Sequence, residues 1–228
     1  VALMPTLNAS IRDIPRPPGA DQLPIDERGF PVPWFVDWGP TGDKPDHRMI
    51  DGRKFARAIR TERCWVCGGR LGRMKASVIG PMCAINRITS EPPCHPMCAR
   101  YAVRACPFLS KPRARRNEKG LPEDRREAAG IALDRNPGVL VVWESLHPSK
   151  PFSPLRGAQG TLFDLGAPHR VTWWCEGRPA TNAEVVASLE TGLPALLKVA
   201  QQEGPEAVKE LAEFIVRAQP LLPEAASA

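Results

Sequence analysis

Cys64 and Cys67, in CWVCGGRLG, are two thiols separated by two residues; His95 and Cys98, in HPMC, repeat that spacing with an imidazole in place of one thiol. A two-residue gap lets a tight turn aim both thiolates at one ion. Glycine directly after Cys67 permits the backbone turn in which amides point at sulfur. On the first turn of a helix, a three-residue offset puts His95 and Cys98 on one face. The positive end of the helix dipole there favours thiolate over thiol. Three sulfurs and one nitrogen form a closed tetrahedral set, the chemistry of a structural Zn2+ ion, one per chain. Three other readings stay open. Cys94 can replace its neighbour His95 as a ligand, although it precedes the expected helix. Cys64 and Cys67 also spell a C-x-x-C redox pair, but no βαβ unit surrounds them. The thiols can also be buried without a ligand, which is how Cys83, Cys106 and Cys175 are read, since free Cys packs as a small hydrophobe.

The seven cysteines belong to a chain of 228 residues. No apolar run approaches the roughly 20 residues that cross a bilayer, so no membrane partner is expected. VALMPTLNASIRDIP at the N-terminus lacks a basic start leading into an apolar stretch and a cleavage site. A cytoplasmic protein is the expectation, and there cysteines serve metal binding or burial, not a disulfide framework. The 26 prolines are about twice the usual share. They predict long semi-extended segments and argue against a compact enzyme barrel.

Charge is unevenly spread. From Arg48 to Lys119 there are 17 Lys and Arg against 4 Asp and Glu, a net of +13. The whole chain carries +6, so the remainder sums to −7. A basic middle between acidic ends is a face suited to polyanions, with nucleic acid the leading partner. Its candidate contacts are Arg53, Lys54, Arg57 and Arg60 on a helix, Arg70, Arg73, Lys75 and Arg87 around a hairpin, and Lys111, Arg113, Arg115 and Arg116 in KPRARR. Trp65 could stack on a base but is better suited to packing over the site.

The elements that must position these groups follow from periodicity and punctuation. Residues 1–45 are Pro-rich and read as an arm or linker, with GFPVPWFVDWG (29–39) confined by its prolines to a sheet edge. Asp51 caps a helix over 52–62 with Phe55, Ala58 and Ile59 on one face. The β-branched residues of 73–89, interrupted by Gly80-Pro81, predict a β-hairpin. Pro96 opens a helix to about 106. A short helix is expected over 122–134 and a buried strand over 137–145, with short strands in TLFDLG and HRVTWWCEG. Thr181 and Glu184 form a capping box. Gly192-Leu193-Pro194 divides the following helix in two, and Gly204-Pro205 opens a last one. The fold class is α+β, with three parts: an N-terminal arm over 1–45, a basic zinc module over 46–120, and a section over 121–228 ending in acidic amphipathic helices packed on that module.

The order of a Cys-bearing turn, a hairpin and a helix carrying the second ligand pair resembles the treble-clef zinc finger over residues 64–109. CWVCGGRLG, VIGPMCAINR, Glu91, Pro92, Pro93, His95, Cys98 and ACPFL also resemble, loosely, an uncharacterised group of bacterial and phage-associated proteins. The first resemblance implies Cys64, Cys67, His95 and Cys98 as ligands. The second implies no activity. Treble-clef HNH nucleases need a histidine on the first hairpin strand, and none stands between Cys67 and His95. A zinc deaminase needs H-x-E and P-C-x-x-C, which are missing. His47 lies near Asp46 and Asp51 and reads as a lone surface or core histidine; His147 and His169 are loop residues without an arguable partner. No paired carboxylates, nucleophile elbow or phosphate loop stands out, so a non-enzymatic binding protein is expected. The alternative is a protein-interaction or regulatory module, of the kind a phage directs at its host, docking on a protein or nucleoprotein.

Overall fold

A computed structural model of the chain describes residues 6–122, 136–146, 151–152 and 160–224. The helix expected over 122–134 and His147 lie outside the described residues. In chain order the elements are the strands Val36–Asp37 (β1) and Asp46–Ile50 (β2), the helix Gly52–Thr61 (α1), the strand Lys75–Ile79 (β3), the helix Pro81–Asn86 (α2), the strand Ile88–Thr89 (β4) and the helix Pro96–Ala105 (α3). The strands Leu140–Ser145 (β5), Pro151–Phe152 (β6), Leu162–Asp164 (β7), Arg170–Cys175 (β8) and Arg178–Pro179 (β9) follow. The helices Asn182–Glu203 (α4) and Pro205–Ala218 (α5) complete them. This is the expected α+β class.

The Val-rich run becomes β5, the second strand of an antiparallel sheet ordered β3-β5-β8-β9. All six of its residues are buried, because the sheet separates two cores. Leu140 and Val142 face one side, with Ala76, Cys98, Ala99 and Val103. Val141 and Trp143 face the other, with Ile79, Trp173, Val185 and Leu189. A strand covered on both faces reads as a continuous apolar run instead of an alternating one. The side with Leu140 holds α3 and the cysteines. The opposite side holds α2, α4 and α5, which share one core with Ala84 and Ile85 inside it and Met82 and Cys83 packed against it.

Four sequence expectations are corrected. The hairpin over 73–89 does not form: β3 pairs with β5, from more than sixty residues downstream, and β4 pairs with β7 in a separate sheet. Gly80-Pro81 is not a turn tip but the start of α2, with Gly80 at the N-cap and Pro81 in the first turn, where a missing N–H costs nothing. Residues 6–45 are not a free arm. Ile11, Ala20, Val32 and Val36 are buried, and Ile11 packs with Leu7, Ile14 and Phe30 on Tyr101 and Ala105 of α3. Within 29–39 only Val36–Asp37 is strand, paired with β2. Finally, α4 is one helix through Pro194. Gly192 within it meets the Met82 side chain so closely that a Cβ there would lie 2.9 Å from Cε. This contact with α2 outweighs the local tendency of proline to break the helix.

Asp26 holds the N-terminal loop to the rest. It is buried, accepts from the Phe30 amide at 2.8 Å and from Arg28, and meets His47 Nε2 of β2 at 3.2 Å. His47 stands at an exposed position of β2, its ring partly covered and paired with Asp26, not with Asp46 or Asp51. Burial, ahead of the charge of Arg28, keeps its pKa below the ordinary histidine value.

Candidate metal centre

Asp51 starts the approach to the site. Its carboxylate accepts from the Arg53 and Lys54 amides and caps α1. The helix ends at Glu62 in a left-handed conformation, which turns the chain into the Cys64–Gly69 loop. In that loop Cys64 N donates to Gly69 O at 2.7 Å and Gly68 N to Cys64 O at 2.8 Å. Gly68 sits at φ +71°, a conformation that glycine adopts freely and other residues do not. The loop thus bends both thiols to one side.

The second pair comes from α3. His95 is its N-cap and Cys98 stands in its first turn. The side chains of Cys64, Cys67, His95 and Cys98 converge, with their four donor atoms all within 4.8 Å of one another. His95 Nδ1 is 3.4 Å from Cys67 Sγ and 3.8 Å from Cys98 Sγ. Tetrahedral bonds of about 2.0–2.3 Å place donors roughly 3.5–3.8 Å apart, so the four groups could hold one metal ion. His95 Nε2 lies 2.9 Å from the Arg70 carbonyl. That oxygen only accepts, so Nε2 carries the proton and Nδ1 keeps a free lone pair facing the sulfurs, the tautomer a metal ligand requires. The amides of Cys67 and His95 lie 3.5 and 3.4 Å from Cys64 Sγ and stabilise negative charge on it.

Cys94 takes the opposite direction. It pairs as an isolated bridge with Ala76 of β3, and neighbours in extended chain point to opposite sides. Its thiol donates to Ala76 O at 3.3 Å, and burial pushes its pKa well up. It stays a neutral core thiol while His95 faces the cluster. The redox reading of Cys64 and Cys67 loses its basis in the same geometry, since both thiols share the cluster with His95 and Cys98. Cys175 is buried in the core of the C-terminal helices, and Cys83 is partly buried against the same core.

The sulfurs hold one another's protons. Hydrogen bonds from Cys64 and then Cys98 hold the Cys67 thiol far down, at about 2. The same bonds push Cys64 up, chiefly through Cys67, and Cys98 well up, chiefly through Cys64. Cys64 and Cys98 are both raised and hold their protons, which an incoming divalent ion must displace. Both displaced protons belong to groups whose pKa is raised, so acid opposes binding. Metal affinity is expected to fall about 100-fold per unit of falling pH between 7.5 and 6.5, measured by competition with a chromophoric chelator.

The basic residues divide. Arg53, Arg57 and Arg60 on α1, Arg70 and Arg73 after the loop, and Lys111, Arg113 and Arg115 are exposed. Lys75 is not: it is buried and its ammonium is 2.6 Å from Glu62. Its burial and its pairing with Glu62 withdraw it from any polyanion surface. Lys54 donates to Val36 O at 2.9 Å, Arg87 caps α2 and lies over the Trp143 ring, and Arg116 donates to Arg48 O. Trp65 is buried, stacked on Phe35 with ring centroids 4.7 Å apart and edge-on to Phe55, so it packs and offers no face to a base.

Sequence reasoning missed the N-terminal contribution. Gly19, at φ +87°, brings its backbone against the site, and a Cβ there would be 3.4 Å from Cys67 Sγ. Trp34 lies flat against Gly68. The stretch containing them was read only as Pro-rich arm and edge strand; its signal was two tryptophans four residues apart among prolines.

The chain matches no protein-family model, and neither curated proteins nor solved structures give a match. The resemblance to bacterial and phage-associated proteins gains no support from them. The site must speak through its own chemistry. Among the described residues, no helix is long and apolar enough to cross a membrane.

Proposed function

We propose that the chain is a zinc-stabilised, non-enzymatic binding protein whose leading partner is nucleic acid. Three thiolates and an imidazole in a near-tetrahedral set suit zinc among the common divalent ions. A closed set offers no position for substrate, so the ion acts on the fold. It fastens the Cys64–Gly69 loop to α3, and through the loop it fixes the end of α1.

The observation that supports a polyanion partner is the state of the arginines around that tie. Arg53, Arg57, Arg60, Arg70, Arg73, Lys111 and Arg113 make no salt bridge among the described residues, although other surface cations do, such as Arg178 with Glu184. Unpaired cations held on fixed elements release counterions from phosphates at little ordering cost. The basic loop near Lys119 is also fixed, because Arg48 donates to Asn117 O and Lys119 O at 2.8 and 2.9 Å.

Nucleic-acid affinity is expected to fall steeply with salt, with log K changing by about −0.9 per phosphate contacted. Replacing Arg53, Arg57 and Arg60 together with Ala should flatten that slope by roughly two to three and leave metal content unchanged. Fluorescence anisotropy across a salt series reads both. Absence of binding at about 50 mM salt would sink the nucleic-acid reading. A second reading, docking on a protein, is favoured by one observation: Val186 and Leu197 are exposed, and their eleven-residue spacing sets them on one stripe of α4.

A further inference from the structure

Trp34, Trp38 and Lys54 line a cleft of about 380 Å³ whose wall also includes Gly19, Gln22, Cys67 and Gly69. That is the size range of small-ligand sites. We infer that this cleft takes an unstacked base of a single-stranded nucleic acid, with the strand's phosphates on the arginines at its rim. The inference rests on the nucleic-acid reading above and narrows it to a strand type and a seat.

The tryptophans carry the argument. Trp143, Trp173 and Trp174 give their indole N–H groups to Leu165 O, Leu221 O and Thr172 Oγ1. Trp65 is sealed between Phe35 and Phe55. Trp65 Nε1 has no hydrogen-bond partner either, but it is buried. Trp34 and Trp38 differ in being half-buried and lining the cleft, with neither indole N–H given an acceptor among the described residues. Trp34 spends one ring face on Gly68. Trp38 has no ring partner among the described residues. An aromatic face and an unpaired donor in one cleft suit a flat heterocycle with acceptor atoms at its edge. A base offers both, and stacking on an aromatic side chain tolerates any base.

Complementary charge comes from Lys54 in the lining and from arginines next to lining residues in the chain. Lys54 lines the wall and is balanced in part by Asp51 at 3.6 Å. Arg57 follows it by three residues, on the same side of α1, and is exposed, as is Arg53. Arg70 follows Gly69 and is exposed too. Phosphates on either side of a seated base would meet these three cations. A duplex keeps its bases stacked inside and can use only the rim.

The experiment compares a fluorescein-labelled ten-residue thymidine strand with a labelled duplex at fixed salt, using the full chain with its metal. Trp38→Ala should lose about tenfold or more in single-strand affinity and keep duplex affinity within twofold. Trp38→Phe, which restores a ring, should recover most of the loss. In the wild-type chain the single strand should quench tryptophan emission and the duplex should not, a readout that needs no variant to fold. The inference falls if Trp38→Ala binds the single strand like wild type, if it weakens both ligands equally, or if the wild-type emission ignores the strand. In each of those outcomes the salt-dependent binding of the wild-type chain would still stand. If the wild-type chain binds neither ligand, the broader nucleic-acid reading fails and takes the cleft assignment with it.

Discussion

Cys64→Ser is expected to empty the metal site and melt the half of the molecule that faces it. Wild-type chain should carry about one zinc, by mass spectrometry of the metal, and the variant almost none. The reason is where Cys64 stands. It is fully buried, and its sulfur lies within hydrogen-bonding range of the amides of Cys67 and His95. Serine is a poor zinc ligand at neutral pH and a smaller one, so the variant loses a donor and leaves two amides facing a shorter hydroxyl. An ion held there would join segments 28 residues apart in sequence. Around it lies an apolar cluster of its own, with Trp65, Leu71, Leu140 and Val142 beside Ala58, Ala76, Ala99 and Val103. Structural zinc contributes on the order of 10 kcal/mol in isolated fingers. The opposite face of the sheet keeps its own core of Trp143, Trp173, Val185 and Leu189, so the loss here is smaller. About 5 kcal/mol lowers Tm by roughly 10–20 °C in a chain of this size. A chelator added to wild type should reproduce the shift. Cys83→Ser, outside the cluster, should keep its metal. A Cys64→Ser chain that melts at the wild-type temperature and holds no metal would overturn the centre as the organiser of this region.

What the sequence displayed was local. The ligand spacing, the Asp51 cap, the proline opening α3 and the Thr181–Glu184 capping box are each written within a few residues, and the structure places all of them. The partner of β3 was not legible, because the choice between Ile88–Thr89 and Leu140–Ser145 is made by which strand buries two faces at once. Gly80-Pro81 carries two meanings, turn or helix start, and the burial of Ala84 and Ile85 against the C-terminal helices goes with the second. The N-terminal residues enter the core one at a time, as Ile11, Ala20, Val32 and Val36, with no period for a pattern to follow. Lys75 reads as a surface cation in the sequence, and only the tertiary structure buries it and pairs it with Glu62. Between His95 and Cys94 the decision belongs to one antiparallel bridge, Ala76 to Cys94, which turns one side chain into the core and its neighbour toward the sulfurs.

The same loop supplies a second large effect, at a residue with no side chain. Gly68→Ala is expected to cost roughly 3 kcal/mol and lower Tm by about 10 °C. Part of that is conformational: φ is +71°, and an L side chain there clashes with its own backbone by about 1–2 kcal/mol. The rest is contact, since a Cβ would fall 2.6 Å from Cγ and Cδ1 of Trp34. The indole must move or the loop must open, and the loop cannot open without releasing the Gly68 amide from Cys64 O. Metal affinity should therefore fall along with stability, by about tenfold or more for each 1.4 kcal/mol that reaches the site. Gly69→Ala is the control. Its Cβ would stand 3.4 Å from Cys67 Sγ and from His95 Cε1, ordinary contact without a left-handed backbone, so it should retain metal. Equal tolerance of both substitutions would mean that neither the left-handed turn nor the Trp34 contact holds the loop. If Gly68→Ala lowers metal affinity and Gly69→Ala does not, one backbone position joins the sulfurs to the indole wall of the cleft.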